Sequence, residues 1–260
     1  MISFYRKFIG IKHEIVWFSQ YIPTVAALNF SDYRQCIFTE RKLGFFRKKN
    51  LSIYIDLEKP LQSIFSDFNS NTRNEVRRAI RNDYQYKEIK ELDIFIEFYN
   101  KFAENKKREK IDISFFRHFI SYLHISVASS NDGVPLVMHS YLIDKYSGNA
   151  RLLQSASHYR ELADKNLRAN IGIANRFLHY KDIEYFKENR YKIYDFGGIS
   201  ENQIEEEIKI AKFKKGFGGQ EFYCADYLSI LLWLAIKLKI ILSYLKVKSR
   251  NNFNVFLHKN

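Results

Sequence analysis

The chain of 260 residues is 46% hydrophobic and 17% aromatic, a composition that excludes a disordered tail and supplies a real core for one large domain or two small ones. Cys36 and Cys224 are too few and too far apart for a disulfide framework or a four-cysteine zinc site, so the plain compartment is a reducing one. The 42 basic and 29 acidic residues leave a formal charge of +13, which calls for nucleic acid, an anionic membrane surface or a phosphorylated substrate as partner.

Arg6, Lys7, Lys12, His13 and Glu14 interrupt the N-terminal stretch, so no export signal is expected there and the location is read as cytoplasmic. From Ser52 to Leu57 apolar residues alternate as in a strand, and Leu61, Ile64, Phe65 and Phe68 then recur at helical spacing after Pro60. Thr72 to Glu75 has the form of a capping box opening a second helix through Val76, Ala79 and Ile80. Tyr84 to Ile89 reads as a short strand. Phe95, Phe98 and Phe102 mark a third helix, and Phe115, Phe119 and Tyr122 a fourth. Three antiparallel strands follow from His124, punctuated by turns at Asn131-Asp132-Gly133 and Ser147-Gly148-Asn149. A long helix carries Leu167, Ile171, Ala174 and Leu178, and a strand runs from Tyr191 to Phe196. A helix from Gln203 to Lys214 is expected to turn Ile204, Ile208 and Ala211 inward and a Glu205 to Lys209 pair outward. A last strand spans Gln220 to Ala225. This order predicts an α+β fold, a mixed β-sheet covered by helices.

Tyr227 to Lys246 is too broken by Lys237 and Lys239 to span a bilayer. Its stripe of Tyr227, Leu231, Leu234, Leu238, Ile241 and Leu245 suits packing on the domain, a partner helix or a membrane surface. Lys237, Lys239, Lys246, Lys248 and Arg250 favour attachment to the inner face of the cytoplasmic membrane.

Asp195-Phe196-Gly197-Gly198, followed by Phe213-Lys214-Lys215-Gly216-Phe217-Gly218-Gly219, resembles the paired signature of the Fem family of aminoacyltransferases, within the GNAT acyltransferase superfamily. Asn71-Thr72-Arg73 with Arg77-Arg78-Ala79 is similar to the arginine-rich helix that precedes it there. The resemblance implies a GNAT-like sheet with an abbreviated N-terminal portion at 1–123, an acyltransferase core at 124–226 and a basic amphipathic C-terminal helix and tail at 227–260. It also implies transfer of an activated acyl or aminoacyl group to an amine or hydroxyl of a cell-envelope sugar precursor, nucleotide- or lipid-linked. After the third strand, His158 to Ala163 lacks the Q/R-x-x-G-x-G/A loop of coenzyme A-dependent members. The donor therefore stays open between acyl-coenzyme A and aminoacyl-tRNA.

The motif residues allow two readings each. Asp195 either accepts a proton from the nucleophile or holds the backbone of the turn at Gly197 and Gly198. Lys212, Lys214 and Gly218 exceed what helix capping requires and point to a backbone-lined phosphate pocket. Arg73, Arg77 and Arg81 share one helix stripe, either solvated or set for a diphosphate. Arg73, Arg77, Lys212 and Lys214 are thus expected to line one cleft beside Gly197 and Gly198. His139 and Tyr141 alternate onto one face of a central strand as catalytic candidates or satisfied core groups. With no H-E-x-x-H and no G-x-S-x-G, neither a metal nor an acyl-enzyme is expected, and a splayed strand is expected to hold the donor carbonyl for direct attack. The competing readings are a basic nucleic-acid-binding protein and an inactive scaffold. The core spacing of Phe95, Phe98 and Phe102 argues against the first.

Overall fold

The computed structural model describes residues 1–8, 10–157, 165–200 and 204–257, without side chains at 165–168 and 244–257. It divides into two compact units: Met1–Ile2 with Asn50–Tyr223, and Ser3–Lys49 with Cys224–Asn260. The sequence boundary at 123/124 falls inside the first unit, and that at 226/227 inside a strand.

In chain order β1 (Ile2–Phe8), β2 (Ile11–Trp17), β3 (Ser31–Cys36) and β4 (Phe45–Asp56) precede the first helix. Only the end of β4 stood out in the sequence, because the first three strands interleave charged residues with their apolar ones. After Pro60, α1 (Leu61–Asp67) leads into α2 (Ser70–Arg81). Asn69, not Thr72, caps α2: its side chain accepts from Thr72 N at 2.8 Å, and its own N–H donates to Gly216 O at 2.9 Å. The helix therefore begins one turn earlier than the capping-box pattern, and Thr72 is buried within it.

β5 (Gln85–Glu88) and α3 (Leu92–Asn105) come next, with Phe95, Phe98 and Phe102 buried on one side of α3 as their spacing predicts. The expected fourth helix is instead a single turn, α4 (Ile113–Phe116), and a 3₁₀ turn at Ile120–Tyr122. Asp112 caps that turn, and Phe115, Phe116 and Phe119 pack edge to face, so ring packing replaces helical continuation.

β6 (Leu123–Ser129), β7 (Pro135–Asp144) and β8 (Asn149–Ser157) form the expected antiparallel run, followed by α5 (Lys165–Glu188) and β9 (Ile193–Ile199). In the first unit the strand order is β4-β9-β8-β7-β6-β5, antiparallel throughout except for the β8–β9 pair. Val137 and Tyr141 of β7 alternate onto one face, where they join Ile171, Ala174 and Leu178, and Ile183 and Phe186, of α5. Each such side chain contributes on the order of 1.5–3 kcal/mol of burial. α6 (Glu205–Lys215) makes the expected Glu205 to Lys209 ion pair at 2.5 Å. Its Ile204 and Ile208, expected inward, are exposed by 56% and 46%, and no residue of α6 is buried.

In the second unit β2 runs parallel to β3, and β10 (Gln220–Ser229) pairs antiparallel with β3, placing Tyr227 opposite Tyr33. Tyr227 thus belongs to a strand, not to the helix that follows; its hydroxyl donates to Glu40 O at 2.6 Å. Val16, Ala26, Tyr33, Cys36, Ala225 and Tyr227 make the core. α7 (Ile230–Leu257) is anchored by Ile230 N to Gly44 O at 2.9 Å, by buried Leu232, and by Trp233 stacked on Phe46 at 4.1 Å. Leu231, Leu234, Leu238 and Ile241 of its stripe remain exposed.

Candidate active site

Parallel pairing of β8 with β9 covers Asn149↔Ile193, Ala150↔Tyr194 and Arg151↔Asp195 and then ends, although both strands continue. Irregularities lie on either side of that point. Ser140 pairs with Gln154 and Tyr141 with Leu152, leaving Leu153 as an extra residue. The β4–β9 register slips between Ser52↔Gly198 and Tyr54↔Asp195. Bulges of this kind bend and over-twist the strands that carry them, and here the two parallel strands splay apart. Gly197 sits at the fork with φ +76°, and a Cβ there would meet Leu152 O at 3.2 Å. The fork opens on a cleft of about 540 Å³, floored by Leu152, Leu153, Phe196, Gly197 and Gly198. Asn175 and His179 of α5, Phe102 of α3, and Ile210 and Phe213 of α6 add to its walls. Arg151, Lys214, Lys106 and Arg108 supply cations, and Lys106 pairs with Glu206 at 3.0 Å.

Asp195 is the clasp of this fork. Its Oδ1 accepts from Ser52 Oγ at 2.5 Å and from Gly197 N at 2.8 Å, and its Oδ2 pairs with Arg151 Nη1. Lys214 lies across the opening, its ammonium donating to Gly198 O at 2.8 Å and Gly197 O at 3.2 Å. Burial drives Lys214 down to about 8; the Asp195 carboxylate opposes that shift and the Arg151 guanidinium adds to it. The result is a poised, largely desolvated cation beside backbone carbonyls.

No family model matches the chain, and no curated protein matches it in sequence. Among solved structures it is similar to FemX, with a TM-score of 0.62 and 13% identity over 87% of this chain and 84% of that one. It is also similar to a C-terminal domain assigned to a lysylphosphatidylglycerol synthetase of Agrobacterium fabrum (0.56, 10% identity, 91% and 85%). L-PGS from Bacillus licheniformis is a third (0.54, 12% identity, 87% and 80%). The chain has a FemX-like fold.

Of the residues singled out in the sequence, the Fem-like sheet brings Gly197, Gly198 and Lys214 to the cleft with Asp195 behind them. It does not bring Arg73, Arg77, Lys212 or Gly218 there. Arg73 donates to the carbonyls of Ser66 and Phe68, and Arg77 stacks on Phe65 at 5.4 Å, so both serve the α1–α2 corner. Lys212 is exposed two residues round α6 from Lys214. Gly218, at φ +70°, presses on the backbone of Asp67, which accounts for one of the glycines credited to a phosphate pocket. The segment His158 to Ala163 lies outside the described residues.

His139 and Tyr141 of the Fem-like core are wholly buried and do not line the cleft. They join a polar network with Asp182, Tyr194, His179 and Asn175. Asn175, His179, Asp182 and Arg151 went unnoticed in the sequence. The available signal was three polar residues spaced four and three apart along an otherwise apolar face of α5.

Proposed function

We propose that the chain transfers an activated acyl or aminoacyl group onto an amine or hydroxyl of an anionic cell-envelope precursor, a nucleotide- or lipid-linked sugar. The observation that carries this reading is the fork where β8 and β9 part, with the Lys214 ammonium beside it. A donor carbonyl laid between the strands meets backbone groups that a paired strand would have used, and its oxygen gains negative charge within reach of a desolvated cation. Among the described residues no cysteine lines the cleft, which favours direct attack: the new C–N or C–O bond forms at the carbonyl as the donor's C–S or C–O bond breaks. Acyl-coenzyme A and aminoacyl-tRNA both bring phosphates, which Arg151, Lys106 and Arg108 suit. The likeness to FemX and to a lysylphosphatidylglycerol synthetase domain supports the class of reaction.

Among the described residues no helix is long and apolar enough to cross a membrane. The exposed Leu231, Leu234, Leu238 and Ile241 of α7, beside Lys237 and Lys239, support attachment to an anionic leaflet, where lipid-linked acceptors reside. Purified protein offered acetyl-coenzyme A, longer acyl thioesters and charged tRNA in parallel, with amino-sugar acceptors, tests the assignment. One donor should lose its acyl group only when acceptor and intact Lys214 are present. Consumption of none of them by folded protein overturns the reading.

A further inference from the structure

The hydroxyl protons in the buried network can be assigned from their partners. Tyr141 lies 2.6 Å from Asp182 Oδ2, and a carboxylate only accepts, so the single proton of Tyr141 points there. His139 Nδ1 lies 2.8 Å from the same oxygen and 3.0 Å from Tyr141 Oη. Tyr141 Oη, its proton committed, must accept from the Tyr194 hydroxyl at 2.7 Å. Tyr194 Oη in turn must accept from His179 Nδ1 at 2.6 Å. The buried carboxylate thereby dictates the tautomer of a histidine two hydroxyls away: His179 carries its proton on Nδ1 and keeps a lone pair on Nε2. Burial, with His139, Lys214 and Arg176 as its charged or titratable neighbours, holds His179 well below the usual histidine range, so that lone pair is present at neutral pH. His179 is also a residue of the cleft, packed between Phe196 and Phe213.

We infer that His179 Nε2 is the base that receives the proton of the attacking nucleophile and that Tyr194, Tyr141 and Asp182 form the wire behind it. The inference rests on the acyl-transfer reading of the same cleft. As the acceptor nitrogen or oxygen bonds to the donor carbonyl, its proton passes to Nε2. The Nδ1 proton moves to Tyr194, the Tyr194 proton to Tyr141, and the Tyr141 proton to Asp182. When the donor's C–S or C–O bond breaks, the protons step back along the same path and Nε2 delivers one to the leaving sulfur or oxygen. His179 stays neutral at both ends of each shift, which suits a ring crowded by Lys214 and Arg176. His179 is thus a catalytic residue; Tyr194, Tyr141, Asp182 and His139 are positioning residues that act through it.

Nitrogen NMR of the full chain labelled at histidine tests the wiring independently of any donor. The expected result is a His179 protonated on Nδ1 alone at neutral pH, with the Nδ1 proton at low field and that signal lost in Tyr194→Phe. A proton on Nε2 in the resting protein overturns the inference, since that nitrogen could then accept nothing. With whichever donor the protein uses, Tyr194→Phe should lower kcat about 100-fold and leave the donor KM unchanged, with a smaller solvent isotope effect. His179→Gly should regain part of its rate on addition of imidazole. Unchanged kcat in Tyr194→Phe, or no rescue of a folded His179→Gly, overturns the wire while transfer itself persists. Failure of the wild type to use any donor overturns the transferase reading instead, and the tautomer then decides the wiring alone.

Discussion

Lys214 shows how one buried charge ties stability to chemistry. Its ammonium holds the carbonyls of Gly197 and Gly198 and titrates at about 8, below its ordinary 10.5. The unfolded chain therefore keeps the proton between about pH 8 and 10.5 while the folded chain has lost it, and stability should rise with pH through that window. Denaturant midpoints at the two ends should show this gain in the wild type and a smaller one in Lys214→Met. Activity should move the other way, falling above about pH 8 as the cation disappears, and Lys214→Met should lose on the order of 100-fold in kcat. Gly218 offers a contrasting case, structural and remote from the cleft. At φ +70° any Cβ there is strained and would overlap the Asp67 carbonyl. Gly218→Ala should cost about 2–3 kcal/mol, read as a lower denaturant midpoint, with KM unchanged in the fraction that folds. The sequence marked Lys214 and Gly218 through one motif; only the neighbours at each position separate a cation at the cleft from a packing glycine.

At the level of elements, α7 carries the clearest test. Leu234 and Leu238 are exposed by 51% and 58%, and among the described residues neither belongs to the core around Tyr33 and Tyr227. A Leu234→Glu, Leu238→Glu double variant should fold like the wild type yet fail to float with vesicles containing anionic lipid, whereas the wild type floats and is released in part by salt. Equal recovery of both in the unbound fraction would make the stripe a protein-facing surface. Much of the element order was legible: α3 and α5 follow the helical period of their buried faces, while β6 and β7, buried on both faces, stand out as short apolar runs bounded by turns. Legibility failed for physical reasons that differ from case to case. The capping-box pattern at Thr72 lost to Asn69 because a distant carbonyl, that of Gly216, anchors Asn69. Ile204 and Ile208 follow a helical period that no surface covers in this structure. The fork between β8 and β9 was legible as glycine-rich sequence, but where pairing stops depends on bulges that involve two further strands.

For the molecule as a whole, the charge of +13 makes a prediction of its own. If a phosphate-rich donor is drawn in by it, kcat/KM should fall about tenfold or more between about 50 and 200 mM salt while kcat changes little. A donor recognised by its acyl chain alone would show a flat profile. The discontinuous second unit has a different consequence, one of timing. Tyr33 of β3 pairs with Tyr227 of β10, and the two share a core built from Val16, Ala26, Cys36 and Ala225. Some 190 residues separate these partners, on the order of 10–40 s of synthesis at about 5–20 residues per second. During that interval β2 and β3 emerge with an edge that has no β10 to close it. In the first unit β5 to β8 pair with sequence neighbours and are available well before β10 is made. β2 and β3 are thus made well before they can be completed, and through that interval their open edge is a segment for a chaperone to shield.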